Sequence, residues 1–331
     1  MQFGNACLKH GLLLAPMAGD TDSAMRLLCH EQGAELTVTE MISAKAMHYG
    51  DGKTWALAQI REGEGPVSIQ IFGHEPDIMA EAVRLLSDGV RSYAPKGFRP
   101  ASVDINMGCP VKKITTNGEG SALMRDPGLA AELLAAAVEA GRPYGMPITL
   151  KIRAGWDDSQ KNAVTIARLA EEAGVSAITV HGRTREQLYT PGTVDLGIIR
   201  AVKEAVSVPV VGNGDVFTAA DALRMKEVCG CDGIMVARGA LGNPFLFRAI
   251  VAALEGRTYT EPTVEERIET ACRHLRLKVA EKGEYTGVRE SRSLLGRYLK
   301  GIPGSATLRD ALCRAETAEE AEAVLRQAGG R

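Results

Sequence analysis

Short, near-continuous apolar runs recur along this chain, at residues 12–16, 35–41, 67–72, 102–107, 148–152, 177–181, 208–212 and 233–237. They lack the apolar–polar alternation of a half-exposed strand. Runs of this kind suit strands buried on both faces, as in a parallel sheet covered by helices. Helical patterns fill most of the intervals. Asp126 can cap a helix over 128–140, Pro127 suits its first position, and Gly141 reads as its end. Segments 159–173, ending at Gly174, and 218–228, ending near Gly230, behave alike. Eight strands alternating with helices over about 250 residues predict an α/β fold of the (β/α)8 TIM-barrel class. A doubly wound open sheet is the alternative, but it usually has fewer strands.

The pattern changes near Thr258. Thr263-Val264-Glu265-Glu266 reads as a capping box, and beyond it the chain is helical with no strand signal. The expected organisation is a barrel over 1–257 and a small all-helical domain over 258–331. No internal repeat or low-complexity segment interrupts it.

Composition narrows the classes. The 331 residues are 45% hydrophobic and 24% charged, an ordinary globular balance. The net charge of -2 excludes a global polyelectrolyte, so any nucleic-acid surface must be a local patch. Seven cysteines, an odd count without a CxxC, argue against a disulfide framework or zinc ribbon and for a reducing cytoplasm. Asn5, Lys9 and His10 stand where a signal peptide would be apolar, and no run reaches the roughly 18 residues of a membrane span. The scattered histidines suggest no metal site. No heptad or dimerising strand is evident, so a monomer is expected.

In a barrel, chemistry belongs at the C-terminal ends of the strands. The fourth strand stops at Asn106-Met107-Gly108-Cys109-Pro110, where Gly108 and Pro110 bend the chain around one thiol. Such a cysteine can donate a proton or act as a nucleophile, although free cysteines are more often buried and structural. Gln70 on the third strand carries an amide that donates and accepts at once, matching an imide edge. Lys151 sits inside an apolar run, costly unless it meets an anion or acceptor. Gly214 and Gly239, after strands seven and eight, lie where many barrels hold a phosphate, with Arg238 adjacent. Each glycine alone reads more often as a tight turn, but both at the expected ends favour a phosphate site. No GxGxxG follows a strand, and Gly52-Lys53-Thr54 lacks the first Walker glycine, that position being Met47. A flavin mononucleotide therefore fits better than ATP or a dinucleotide.

These residues carry a resemblance along essentially the whole chain. Ala15-Pro16-Met17-Ala18-Gly19, Val38-Thr39-Glu40-Met41, Gln70, the 104–110 segment with Lys113, Gly120-Ser121-Ala122-Leu123-Met124, Lys151-Ile152-Arg153, His181-Gly182-Arg183-Thr184 and Asn213-Gly214-Asp215 occur in the order found in the tRNA-dihydrouridine synthases. The chain resembles that family, most closely its bacterial branch. The resemblance implies an FMN-holding barrel, NADPH as reductant and tRNA as substrate. It places Pro16, Met17, Ala18, Gln70, Lys151, His181, Asn213, Gly214, Asp215, Ala237 and Arg238 against FMN. It makes Cys109 the proton donor and Asn106 and Arg153 the groups holding the target uracil. One departure is Ala237-Arg238, where the family often has Gly-Arg. The loop 111–125 is expected to be a mobile lid over the site.

Between Arg267 and Lys300 nine basic residues stand against four acids, a local excess in a slightly acidic chain. Such an excess reads as an RNA footprint or as a solvated helix face with internal ion pairs. With the resemblance, Arg289, Arg292, Arg297 and Lys300 become the expected RNA contacts. Other readings stay open: an FMN ene-reductase on a free pyrimidine or enone, dihydrouridine synthesis on rRNA, an RNA-binding protein without catalysis, and a phosphate-binding aldolase using Lys151.

Overall fold

The structure, a computed structural model, describes residues 1–88, 95 and 98–329. Eight parallel strands form its centre: β1 (Leu12–Leu14), β2 (Leu36–Val38), β3 (Val67–Phe72), β4 (Ser102–Met107), β5 (Ile148–Gly155), β6 (Ala177–Thr184), β7 (Val210–Asn213) and β8 (Gly233–Val236). Each pairs with its sequence neighbour, and β8 pairs with β1, so the sheet closes. All eight expected strands are present, and the fold is a (β/α)8 barrel followed by helices.

Two apolar layers hold it. Outside, side chains such as Val103, Ile105, Met107, Ile152 and Val180 pack against the helices, among them Met79, Leu133, Ala137 and Ile166. Inside, the lower barrel is filled by Leu13, Leu36, Ala177, Val211 and Met235. An antiparallel hairpin of Gln2–Phe3 and Ala6–Cys7 adds Phe3, Ala6 and Leu8 from below. Burial of each large apolar side chain contributes on the order of 1.5–3 kcal/mol.

Helix Pro127–Gly141 ends where its sequence punctuation places the end, though not in the expected conformation. Asp126 caps it and Pro127 opens it as expected. Gly141, however, does not end it in a left-handed turn: it belongs to the helix, and Gly145 (φ +59°) closes the following turn. Gly141 is small because a Cβ there would lie 2.5 Å from the Met146 carbonyl oxygen. The helix expected over 159–173 begins later, at Ala163, because Asp157 first folds Ser159 and Gln160 into a turn by accepting their N–H groups. Gly52, Lys53 and Thr54 lie in the short helix Gly52–Leu57.

Beyond the barrel come four helices, Val264–Lys282, Glu284–Tyr298, Ser305–Arg314 and Ala318–Gly329. Thr263 caps the first by accepting the Glu266 N–H at 3.1 Å, while the Glu266 carboxylate pairs with Arg248. The cap therefore acts in one direction only. Residues 330 and 331 of the expected C-terminal domain lie outside the described residues. Among the described residues no helix is long and apolar enough to cross a membrane.

Candidate active site

Parallel register gathers the polar strand positions at one end of the barrel. Gln70 lies level with Asp104, Asn106 with Lys151, Arg153 with His181, and His181 with Asn213. A cavity of about 380 Å³ opens there, within the range of small-cofactor sites. Every residue expected to contact FMN lines it, and so do Cys109, Asn106 and Arg153. Of the expected RNA contacts, Arg297 alone reaches it.

A chain of hydrogen bonds crosses the barrel beneath the thiol. Thr149 Oγ1 donates to Asp104 Oδ1, and Gln70 Nε2 donates to Asp104 Oδ2, each at 2.7 Å. Asn106 Nδ2 donates to Gln70 Oε1, also at 2.7 Å. Asn106 Oδ1 then accepts the N–H groups of Gly108 and Cys109. From the other side Ser121 Oγ donates to the Cys109 carbonyl at 2.8 Å. Arg153 donates to the carbonyls of Gly108, Thr184 and Leu188, tying the cysteine turn to the loop after β6. Asn106 and Arg153 thus both line the cavity and brace the turn that carries Cys109. Gln70 has one end on Asp104 and the other on Asn106, so it reaches the cavity as part of this chain.

The electrostatics follow from burial. Burial raises the Cys109 pKa above its usual 9.0, against the Val111 N–H and the charges of Arg153 and Lys151. The thiol is therefore protonated at neutral pH. Burial brings Lys151 down to about 8, with Arg153 adding to the effect and Asp104 and Cys109 opposing it. Lys151 Nζ lies 3.4 Å from Asn213 Oδ1. Burial, and then Arg153, Lys151, Arg183 and Arg238, hold His181 well below its ordinary pKa, so its imidazole is neutral. Burial raises Asp104, against its bonds from Gln70 and Thr149 and the charge of Lys151.

At the β7–β8 side Asp215 pairs with both Arg183 and Arg238. Asp215 has φ +49° and follows Gly214 at +131°, a sharp turn for a residue with a side chain. Arg238 lies over the rings of Tyr189 and Phe217, 5.2 and 5.6 Å from their centroids. Two guanidinium groups share one carboxylate here, leaving positive charge at the rim where barrels hold phosphates. This rim and the half-buried Lys151 fit an anionic, flat cofactor.

Sequence reasoning passed over several of these groups. Asp104 and Thr149, polar residues inside apolar strands, carried the same signal that singled out Lys151. Arg183 stood in a noted motif without a role. Tyr189 and Phe217, both half-exposed, lie in loops with no local signal. The basic segment is also largely committed. Arg273 pairs with Glu31, Arg276 with Glu322, Lys282 with Glu290, and Lys278 with Asp22. Arg292 donates twice to the Ala315 carbonyl. Arg289 stacks on Tyr285, and Arg297 and Lys300 are exposed.

Comparison with known proteins agrees with this geometry. Residues 13–329 match the family model described as dihydrouridine synthase (Dus). The chain is 39% identical over 314 residues to a probable tRNA-dihydrouridine synthase of Rickettsia bellii, covering 94% of this chain and 92% of that protein. It is 39% identical over 330 residues to a tRNA-dihydrouridine synthase B of Pseudomonas aeruginosa, covering 99% and 95%. Among solved structures, histamine dehydrogenase from Rhizobium sp. 4-9 shares the barrel fold, with a TM-score of 0.55 at 14% identity over 89% of this chain and 50% of that one. With its cysteine-bearing turn at the mouth of a closed (β/α)8 barrel and this match over nearly its whole length, the chain belongs to the dihydrouridine synthase family of oxidoreductases.

Proposed function

We propose that this protein reduces the C5–C6 double bond of a uridine in tRNA, using FMN in the barrel cavity and NADPH as reductant. A flavin mononucleotide held there would supply the hydride that C6 of the uracil accepts. Cys109 supplies the proton to C5. Its thiol is protonated at neutral pH, and hydrogen bonds on both sides fix its turn at the cavity wall. A general acid so placed contributes roughly 10²–10⁴-fold. Lys151 supplies positive charge inside the cavity, where an anionic ring needs it. Arg238 and the turns at Gly214 and Gly239 offer the phosphate its donors.

A uracil in folded RNA must be flipped out to reach this mouth, at a cost of a few kcal/mol. Residues 258–331 act as an RNA-binding domain in this reading, with Arg289, Arg297 and Lys300 reaching phosphates. Arg292 supports them from within by holding the Ala315 carbonyl.

The observation that carries the proposal is the Cys109 turn, braced by Asn106 and Ser121, at the wall of a cavity that Lys151 and Arg238 also line. Nucleoside mass spectrometry of RNA from a strain lacking the gene tests it, with tRNA and rRNA separated and sites mapped. Loss of dihydrouridine at a tRNA position, restored by wild type and not by Cys109→Ala, is the expected result. An unchanged tRNA profile, with no redundant enzyme present, overturns it.

A further inference from the structure

The loop after β1 holds Pro16, Met17 and Ala18 on the cavity wall. It is compact: Thr21 Oγ1 accepts the Met17 N–H, the Asp20 and Thr21 N–H groups donate to the Met17 carbonyl, and Arg26 donates to the Thr21 carbonyl. Its last residue, Asp22, faces away from the cavity. Asp22 Oδ1 caps helix Ser23–Glu31 through the Met25 N–H. Its other oxygen, Oδ2, lies 2.8 Å from Nζ of Lys278 and 3.8 Å from Nζ of Lys282, both near the C-terminal end of helix Val264–Lys282. Both side chains are almost fully buried, Lys278 at 1% and Asp22 at 4% exposure. Burial alone would push the Asp22 carboxyl up, but Lys278 and His274 hold it below its ordinary value.

A buried ion pair is a poor source of stability, because desolvation offsets most of its attraction. What it does impose is geometry: Lys278, almost fully buried, is costly without Asp22, so the two segments are held in one arrangement. A second contact points the same way. Gly242 (φ +69°), in the loop after β8, packs so closely that a Cβ would lie 2.5 Å from Cβ of Arg297. Arg297 in turn reaches the cavity, where its charge opposes the burial that raises Asp20. The C-terminal helices therefore touch the cofactor cavity from two sides, once through Arg297 directly and once through the 16–22 loop.

We propose that Lys278, which does not line the cavity, is a positioning residue for the cofactor: through Asp22 it sets the 16–22 loop against the flavin. This rests on the reading that the cavity holds FMN. Cofactor affinity then depends on a residue of the helical segment that the RNA reading assigns to the substrate.

The test is FMN titration of the apoprotein by flavin fluorescence, alongside thermal unfolding of the same apoprotein. Lys278→Met keeps the length of the side chain and removes its charge. It is expected to weaken FMN binding about tenfold, a coupling within the range for residues in one network. Arg326→Ala loosens exposed pairs on the last helix and is expected to leave FMN affinity unchanged. If Lys278→Met lowers the melting temperature while FMN affinity stays at the wild-type value, the pair only fastens two segments, and the proposal is overturned. An equal loss in Arg326→Ala overturns it too, since general loosening would suffice. Should Lys278→Met fail to fold, D22N/K278M removes both charges, keeps an acceptor for the Met25 N–H, and is read against the same outcomes. A wild type that takes up no FMN at all overturns the flavin reading, and this one with it.

Discussion

Asn106 Oδ1 accepts the backbone N–H of Cys109 at 2.9 Å, so a side chain inside the barrel sets the orientation of the turn that carries the thiol. Asn106→Ala leaves the N–H of Gly108, buried, and of Cys109, partly buried, without this acceptor. A loss of about 1–3 kcal/mol per unpaired group is expected, read as a lower midpoint in urea unfolding. Turnover should fall with it. Asn106→Asp keeps the acceptor and should retain more of the stability. Equal losses in the two variants would mean that the acceptor is not what matters.

Cys109→Ala removes the proposed acid. Reduction of RNA should slow by roughly 10²–10⁴-fold, while FMN affinity and oxidation of NADPH by the flavin remain. Pre-steady-state measurement of the two half-reactions separates these effects. A uniform slowing of both would place Cys109 outside proton transfer.

Lys151 gives a pH dependence. In the folded protein it loses its proton near pH 8, against a usual value of 10.5. Between those values the unfolded chain holds more protons, so stability from this residue rises with pH through the window and is least below pH 8. FMN binding should behave in the opposite sense, weakening as pH rises above about 8 and Lys151 loses its charge. Lys151→Met should bind FMN more weakly at pH 7 and flatten that decline. FMN titrations across the window check both statements; a decline of equal steepness in Lys151→Met would assign the effect elsewhere.

The basic residues of the C-terminal helices should separate into two groups. Neutralising Arg289, Arg297 or Lys300 should weaken RNA binding and lower the slope of log K against log salt by about 0.7–0.9 each. Arg292→Ala should instead lower stability, because its guanidinium holds the Ala315 carbonyl. Filter binding at several salt concentrations, with thermal unfolding alongside, makes the division visible. An Arg292→Ala slope change as large as that of Lys300→Ala would contradict it.

The barrel was legible because eight strands buried on both faces leave runs that alternation cannot mimic, and β3 and β4 end at the expected residues. The site was legible where chemistry conflicts with burial, as at Lys151, or where punctuation conflicts with a strand, as at Gly108-Cys109-Pro110. Partnership was not legible. Nothing local shows that Lys278 meets Asp22, that Arg292 faces a carbonyl, or that Gly141 yields to Met146. The first two depend on residues distant in sequence, and the third on the path of a turn that carries no marker of its own. Counting charges from Arg267 to Lys300 therefore overstated what is free to meet RNA.

The hydrogen-bond chain from Thr149 through Asp104 and Gln70 to Asn106 also constrains how such a protein can change. Along β4, Asp104 and Asn106 belong to the chemistry, while Val103, Ile105 and Met107 belong to the packing. A strand has a repeat of two, so inserting or deleting one residue exchanges the two sets. Polar side chains would then meet the helices, and apolar ones would fill the cavity. A longer loop leaves that alternation untouched, whereas an extra residue in β4 needs a bulge like the one where β5 and β6 change register between Arg153 and Gly155.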